Sequence, residues 1–433
     1  MNVRTAVAVS LAAGLVTGMS VLPAAAHSPV SALPAAAHSP VSALPVAATG
    51  RQQSGPALPS PGIDALSAPS APSARSTPSA PSAPDFDALR AAVGSVRDPA
   101  ASGATAALVR VGGDSGWHGS GGVHDLRSGR PADPGARFRA GSVTKVFTAA
   151  AVLQLASEGA VDLDRPVRAY LPDLVPAAYG GVTVRQLLDH TSGIPAPDFP
   201  GSTVEDWYEN RFALHDPRAM VRSATSKERE FAPGARQHYL NIGYTIAGLL
   251  IERVTGDTYE ERITERILRP LGLRDTYLPG RSPRIQGPHN RGYQIFGLPD
   301  GSTELRDVSV WGVTDGWAAG DIISTTADLE RFTRALFGGR VVRGPLLEEM
   351  FTLPRLAEGT ASYSVGLTHW RLGGRDVWGK TGGRWGYNAG MGGTRDLTTT
   401  LVYSVNSTDA KGQDRSAVVM GLITGTFGAP DEG

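Results

Sequence analysis

The chain is built around Gly141-Ser142-Val143-Thr144-Lys145, the opening of an apolar run that continues through Ala156. Of the four lysines in the chain, only Lys145 has a serine three residues before it. Residues three apart lie on one face of a helix, so the Ser142 hydroxyl and the Lys145 amine can meet. A lysine whose charged form is disfavoured by burial can take the serine proton and activate the hydroxyl as a nucleophile. We therefore predict a buried helix with Ser142 at its first turn, where free backbone N–H groups favour developing negative charge.

Ser-x-x-Lys alone does not decide the function, because the same pattern suits a capped core helix whose lysine reaches solvent. A first partner motif is Lys380-Thr381-Gly382, the only Lys-Thr-Gly in the chain, on a predicted strand. Such a strand can offer a bound acyl compound a cation, a hydroxyl and close backbone approach. The structural alternative is a hairpin end with an exposed lysine.

Tyr-x-Asn occurs twice, as Tyr208-Glu209-Asn210 and as Tyr239-Leu240-Asn241. The second follows a Pro-Gly turn and opens an apolar helix, so its side chains can be held over a cleft. The first lies in a charged amphipathic segment, and we interpret it as surface. A tyrosine near a cationic lysine can shuttle a proton, and an asparagine can orient that lysine. The structural alternative for Tyr239 is an aromatic side chain packed on the core.

The order Ser-x-x-Lys, Tyr-x-Asn, Lys-Thr-Gly is more specific than any one motif. With these motifs the sequence resembles the penicillin-recognising serine hydrolases, in particular the branch with class C β-lactamases, secreted D-alanyl-D-alanine carboxypeptidases and related esterases. The resemblance covers about residues 85–428, and residues 184–193 and 239–256 are typical of that branch.

The resemblance implies a covalent acyl-enzyme on Ser142, with Lys145 and Tyr239 handling the proton. It implies an oxyanion hole made by the backbone N–H groups of Ser142 and Gly383. It implies no cofactor and no metal. The residues that it assigns to substrate binding are Asn241, Trp317, Lys380, Thr381 and Gly382.

Two departures from the branch concern the leaving group. Secreted carboxypeptidases of this branch often have histidine where Lys380 stands, together with an arginine one strand away that holds the substrate carboxylate. No arginine stands at the expected place near Thr368, so Arg371, Arg375 and Arg384 are the candidates to replace it. The glutamate pattern with which class A β-lactamases activate water is not recognisable.

Composition limits the remaining classes of function. The 41 basic and 41 acidic residues balance, which gives no electrostatic footprint for nucleic acid or a membrane surface. The absence of cysteine excludes disulfides, thiol catalysis and zinc–thiolate sites. The nine histidines show no metal-hydrolase spacing, and no Gly-x-Ser-x-Gly of an α/β-hydrolase occurs.

The N-terminal part of the chain has two compositional segments. Residues 1–26 have a positive start, an apolar middle and an Ala-x-Ala end, which predicts a secretory signal peptide cleaved after Ala26. A direct repeat offers a second cleavage site after Ala37. Residues 27–84 are rich in Pro, Ser and Ala and predict a disordered spacer. We expect a protein secreted to the bacterial cell envelope, and a monomer.

The predicted fold class is α/β, of the α+β kind. Runs that alternate or stay apolar between glycine turns predict antiparallel strands in the last third of the chain, followed by a closing helix near residues 416–427. An N-terminal helix and hairpin would join them in one layer, with an all-α insertion between the two ends and the active site between layer and insertion.

The leading functional hypothesis is a D-alanyl-D-alanine carboxypeptidase that acts on cell-wall peptides and is inhibited by β-lactams or hydrolyses them. A class C-like β-lactamase and a broad-specificity esterase would use the same residues. A non-catalytic cell-wall-binding protein with a relic site is the alternative from another class. The presence of Ser142, Lys145, Tyr239 and Lys380 argues against it.

Overall fold

The computed structural model describes residues 83–114, 116–199, 201, 203–412 and 416–431. The predicted signal peptide, both predicted cleavage sites and nearly all of the predicted spacer lie outside the described residues.

A six-stranded antiparallel sheet, in the order β2-β1-β10-β9-β8-β7, forms one layer of the protein. Its outer strands come from both ends of the chain, as predicted. The strands of the described residues are β1 (Ala104–Gly113), β2 (Trp117–Gly122), β3 (Phe138–Arg139), β4 (Tyr293–Gly297), β5 (Thr303–Asp307), β6 (Ile323–Ser324), β7 (Thr368–Leu372), β8 (Arg375–Arg384), β9 (Tyr387–Thr394) and β10 (Thr399–Ser407).

Helices cover both faces of this sheet. The helices of the described residues are α1 (Phe86–Gly94), α2 (Pro99–Ser102), α3 (Thr144–Ser157), α4 (Val184–Leu188), α5 (Val204–Glu209), α6 (Pro217–Thr225), α7 (Ile242–Thr255), α8 (Tyr259–Ile263), α9 (Arg269–Leu271), α10 (Thr326–Phe337), α11 (Pro345–Glu348) and α12 (Ala417–Phe427). Helices α1 and α12 pack on one face, where Val377 of β8 joins their apolar cluster. The next residue, Trp378, joins the larger cluster on the opposite face, as the period of two along a strand requires.

Helix α3 is the centre of that larger cluster. Nearly every residue from Thr144 to Leu155 is buried, so the helix has no exposed stripe. Its Phe147 stacks on Phe332 of α10 with ring centroids 3.7 Å apart. A short 3₁₀ turn, Gly141–Val143, leads into α3 and carries Ser142.

The segment between β3 and β7 is not purely helical, which corrects the prediction of an all-α insertion. Strands β4 and β5 form a hairpin, and β3 pairs with β6. Residues 195–230, whose sequence has no clear period and predicts a loop-rich stretch, contain α5 and α6. Both helices begin at side-chain caps, Thr203 and Asp216, and such capping residues are a sequence signal for a helix start.

Candidate active site

Ser142 and Lys145 meet at the start of α3. The Lys145 Nζ atom lies 3.1 Å from the Ser142 Oγ atom. It donates to Oδ1 of Asn241 at 2.7 Å and to the carbonyl oxygen of Ala319 at 2.8 Å. A neutral amine has two hydrogens and one lone pair, so these two acceptors leave the lone pair directed at the Ser142 hydroxyl.

The surroundings of Lys145 favour that neutral form. Its side chain is fully buried. Burial lowers the pKa of Lys145 well below 10.5, and the nearby cations Lys380, Lys411 and Arg384 lower it further. A larger fraction of Lys145 is therefore in the neutral form that can accept the proton of Ser142.

Tyr239 lies between two lysines. The Nζ atoms of Lys380 and Lys145 are 4.6 and 5.0 Å from the centroid of its ring. Its hydroxyl is buried and forms no hydrogen bond of normal geometry with the described residues, although Ser142 is near enough to lower its pKa somewhat. Burial is the larger cause and raises the pKa of Tyr239 above its usual value of 10. Tyr239 is thus a protonated phenol at neutral pH.

Two glycines bring strand β8 against the turn that carries Ser142. A Cβ atom on Gly141 would lie 2.7 Å from the backbone nitrogen of Gly383. One on Gly382 would collide with the carbonyl oxygen of Ala140 and lie 2.8 Å from the backbone nitrogen of Ser142. Gly141 also has a φ of 54°, which favours glycine. The N–H groups of Ser142 and Gly383 are thus neighbours, as an oxyanion hole requires.

Strand β8 has one edge available beside Ser142. Its pairing with β7 runs from Arg375 to Gly379, whereas its pairing with β9 continues to Arg384. Within the described residues, the β7 ladder therefore ends before Gly382 and Gly383, whose backbone lies beside Ser142 and can pair with an extended substrate in the manner of an added strand.

The three candidate arginines lie in different places. Arg371 is half-exposed and pairs with Asp376. Arg375 donates to the carbonyl oxygen of Phe427 at the end of α12. Arg384 alone stands beside Gly383, and its guanidinium is held by Asp315 through two hydrogen bonds of 2.7 and 2.8 Å.

Two of the predicted substrate-binding side chains point elsewhere. Trp317 is buried, and its indole N–H donates to Glu260 at 2.9 Å while its ring packs against Tyr259. Thr381 borders a cavity of about 40 Å³ that Tyr403 and Phe427 also line. Thr381 therefore faces α12, on the side of β8 opposite to the Lys380 ammonium.

The other Tyr-x-Asn lies away from this site. The Tyr208 ring packs against Phe296 and Trp311, at centroid distances of 5.0 and 5.8 Å. The Arg211 guanidinium covers it at 4.0 Å. Tyr208 is half-buried rather than a surface residue.

Several residues of the site were not predicted. The His190 ring lies 4.4 Å from that of Tyr239, and Tyr363 lies 5.1 Å from Tyr239. Burial lowers the pKa of His190 well below 6.5, and Lys145 and Lys380 act in the same direction. The Ala319 carbonyl carries no signal in the sequence, because any residue type supplies a carbonyl.

Comparison with known proteins agrees with this geometry. Residues 90–421 match the Beta-lactamase family. Penicillin-binding protein 4* of Bacillus subtilis is 30% identical over 313 residues, which are 69% of this chain and 67% of that protein. Esterase EstB of Burkholderia gladioli is 32% identical over 184 residues, 40% of this chain and 46% of the esterase.

Solved structures show the same fold. The D-stereospecific amidohydrolase from Streptomyces sp. superposes with a TM-score of 0.69 at 32% identity, over 79% of this chain and 99% of that one. The D-amino acid amidase from Ochrobactrum anthropi superposes with a TM-score of 0.65 at 26% identity, over 78% of this chain and 96% of the amidase. The predicted fold class and the resemblance are confirmed, and the chain belongs to the beta-lactamase family of penicillin-recognising serine hydrolases.

Proposed function

We propose that this chain is a D-alanyl-D-alanine carboxypeptidase, which forms an acyl-enzyme on Ser142 and releases the terminal D-residue of cell-wall peptides. The observation that carries the chemistry is the set of three contacts of Lys145, with Ser142, Asn241 and Ala319. They make a buried, neutral amine whose lone pair faces one hydroxyl.

In the proposed acylation, Ser142 Oγ attacks the substrate carbonyl while its proton passes to Lys145. The resulting oxyanion is stabilised by the N–H groups of Ser142 and Gly383. Collapse breaks the bond to the leaving amine, which takes the Tyr239 hydroxyl proton. Lys145 then returns its proton to Tyr239, so the serine proton has in effect moved to the leaving group.

Deacylation repeats these steps with water. Lys145 takes a proton from the attacking water, the same two N–H groups hold the second oxyanion, and Ser142 leaves with a proton from Tyr239. Lys145 then returns its proton to Tyr239. The products are the acyl peptide as a carboxylic acid and the free enzyme. No step needs a cofactor.

The charges around the cleft favour an anionic substrate. The cations Lys380, Lys411 and Arg384 surround Lys145, and Asp315 is a carboxylate near Arg384 and Lys411. Because Arg384 is already paired with Asp315, we assign the substrate's terminal carboxylate to Lys380. The pairing edge of β8 would hold the peptide backbone.

Preference for D-residues is supported by the relatives. The amidohydrolase that superposes on 99% of its own length is D-stereospecific, and the Ochrobactrum enzyme is a D-amino acid amidase. An amidase or esterase acting on uncharged D-aminoacyl compounds is therefore the second candidate. A class C-like β-lactamase is the third, and it would differ in fast hydrolysis of the acyl-enzyme.

The deciding experiment compares an N-acylated tripeptide ending in D-Ala-D-Ala with two matched peptides. One ends in D-Ala-L-Ala, and the other carries a C-terminal carboxamide in place of the carboxylate. The proposal expects release of D-alanine from the first peptide and little from the other two. Equal hydrolysis of the carboxamide would favour the amidase, and hydrolysis of penicillin alone would favour the β-lactamase.

We also propose that the protein acts outside the cytoplasmic membrane as a monomer. Support comes from the signal-peptide pattern of residues 1–26 and from the cell-wall substrate. Among the described residues, no helix is long and apolar enough to cross a membrane. N-terminal sequencing of the protein recovered from the culture medium tests export and identifies the cleavage site. Light scattering tests the oligomeric state.

A further inference from the structure

A largely buried ion pair adjoins the oxyanion hole. Arg384 follows Gly383 directly, and its side chain is 7% exposed while that of its partner Asp315 is 16% exposed. The pair is bidentate, and Nη2 of Arg384 also donates to the Gly312 carbonyl at 3.3 Å. A two-pronged pair withheld from water fixes the orientation of both partners.

Asp315 stands at the start of the turn that holds the base. The Ala319 N–H donates to the Gly316 carbonyl at 2.7 Å, which closes the turn. A Cβ atom on Gly316 would lie 3.1 Å from Nη1 of Arg384, so the turn packs tightly against the guanidinium. The Ala319 carbonyl then accepts the hydrogen bond from Lys145. A chain of contacts therefore links strand β8 to the general base.

We propose that the Arg384–Asp315 ion pair is a positioning device for acylation, which holds the Ala319 carbonyl, and through it Lys145, in register with the N–H of Gly383. Neither partner touches the reacting atoms in this role. The inference rests on the proposed acylation of Ser142 but does not depend on the identity of the substrate.

The pair also balances charge beside the base. Arg384 is among the cations that lower the pKa of Lys145, and Asp315 offsets it. The other groups that face Lys145 are Tyr239, Tyr244, His190, Lys380 and Lys411. The other groups that face the pair are Arg139, His215, Asp321 and Lys411.

Single substitutions should therefore shift the pH profile in opposite directions. Asp315→Asn leaves an uncompensated cation, which favours neutral Lys145 and moves the acid limb to lower pH. Arg384→Gln leaves an uncompensated carboxylate, which favours charged Lys145 and moves the acid limb to higher pH. We expect shifts of roughly one pH unit. If the ion pair had a purely structural role, the two variants would not shift the acid limb in opposite directions.

The measurement is kcat/KM for release of p-nitrophenol from p-nitrophenyl acetate between pH 5 and 9, which reports steps up to acylation only. Both variants should lose about a hundredfold at their optimum, because a small misplacement of a base has that effect. The matched control is Asp376→Asn, a substitution on β8, the strand that also carries Arg384. It removes the half-exposed partner of Arg371 and should change neither the acid limb nor the rate.

Two further variants keep the test decisive if a single variant folds poorly. Arg384→Lys retains the positive charge but loses the bidentate hydrogen bonding to Asp315. The acid limb should therefore stay in place while the rate falls. The double variant Arg384→Met/Asp315→Leu retains the net charge, so its limb should also stay in place while its rate stays low. Circular dichroism confirms folding in each case.

Full activity of either variant, or shifts in the same direction for Asp315→Asn and Arg384→Gln, would overturn the inference. Failure of the proposed function looks different. In that case the parent enzyme would not be acylated at Ser142, and no pH profile would be measurable for it.

Discussion

Oδ1 of Asn241, at the start of α7, lies 2.7 Å from the Nζ atom of Lys145 on α3. This hydrogen bond takes up one of the two hydrogens of a neutral amine. It also ties the second motif of the chain to the first, across 96 positions of sequence. Asn241 is thus placed to aim the base, in addition to the substrate contact that we predict for it.

Asn241→Asp tests the neutrality of Lys145 with an isosteric change. A carboxylate at this distance should raise the pKa of Lys145 by roughly one to three units, because it favours the charged amine. The acid limb of kcat/KM then moves to higher pH, and the activity lost at pH 7 returns in alkaline buffer. Asn241→Ala is the control that removes the amide without adding a charge. Lys145→Ala gives the activity that remains without the base. An unshifted limb in Asn241→Asp would contradict a neutral base.

Tyr239→Phe and Tyr208→Phe compare the two Tyr-x-Asn motifs. Removing the Tyr239 hydroxyl takes away the proton donor to the leaving group, so kcat for a peptide substrate should fall by about 10² to 10⁴. The Tyr208 ring serves packing against Phe296, and its hydroxyl should be dispensable. Steady-state kinetics on both variants checks this, and a silent Tyr239→Phe would exclude the proposed shuttle.

Gly382→Ala tests the close approach of β8 to the nucleophile turn. The added methyl group collides with the carbonyl of Ala140, so the Gly383 N–H must move away from Ser142. Loss of one oxyanion donor lowers the acylation rate by roughly 10² to 10³. The matched control is Gly297→Ala on β4, where a Cβ atom meets nothing within 4 Å. Equal acylation rates for the two variants would contradict the assignment of the Gly383 N–H to the oxyanion hole.

Asp321→Asn tests a buried acid beneath the site. Burial raises the pKa of Asp321 well above 3.8, and the nearby Glu260 carboxylate adds to this effect. Because the folded state holds this proton more tightly than the unfolded state, Asp321 costs stability as pH rises above about 4. The variant should therefore melt higher than the parent at pH 7.5 and equally at pH 4. Thermal unfolding at both pH values checks this prediction. A higher melting temperature of the variant at pH 4 alone would contradict the predicted direction of the pH dependence.

The sequence predicted those parts of the site that have local or ordered signals. Ser142 and Lys145 are joined by helical spacing, and the alternating last third of the chain predicted the strand that carries Lys380. The Arg384–Asp315 pair could not be predicted, because the partners are 69 residues apart and each is a common surface residue type.

Tertiary contacts account for the differences in the fold. Strand β7 begins only at Thr368, because the Gln237 amide oxygen accepts from the backbone N–H groups of Ser362 and Tyr363 at 2.9 and 3.1 Å. The β4–β5 hairpin was not predicted because Ile295 and Phe296 are both apolar although they face opposite sides, so the alternation is lost. Trp317 was assigned by resemblance, and only the structure shows its ring inside the helical layer.

The most direct test of the account is the intact mass of the protein and of its Ser142→Ala variant, quenched in acid within seconds of mixing with a penicillin. The account predicts one penicilloyl adduct on the parent, mapped to the peptide that contains Ser142, and none on the variant. Equal modification of both proteins, or no reaction of the parent with penicillin, would contradict it.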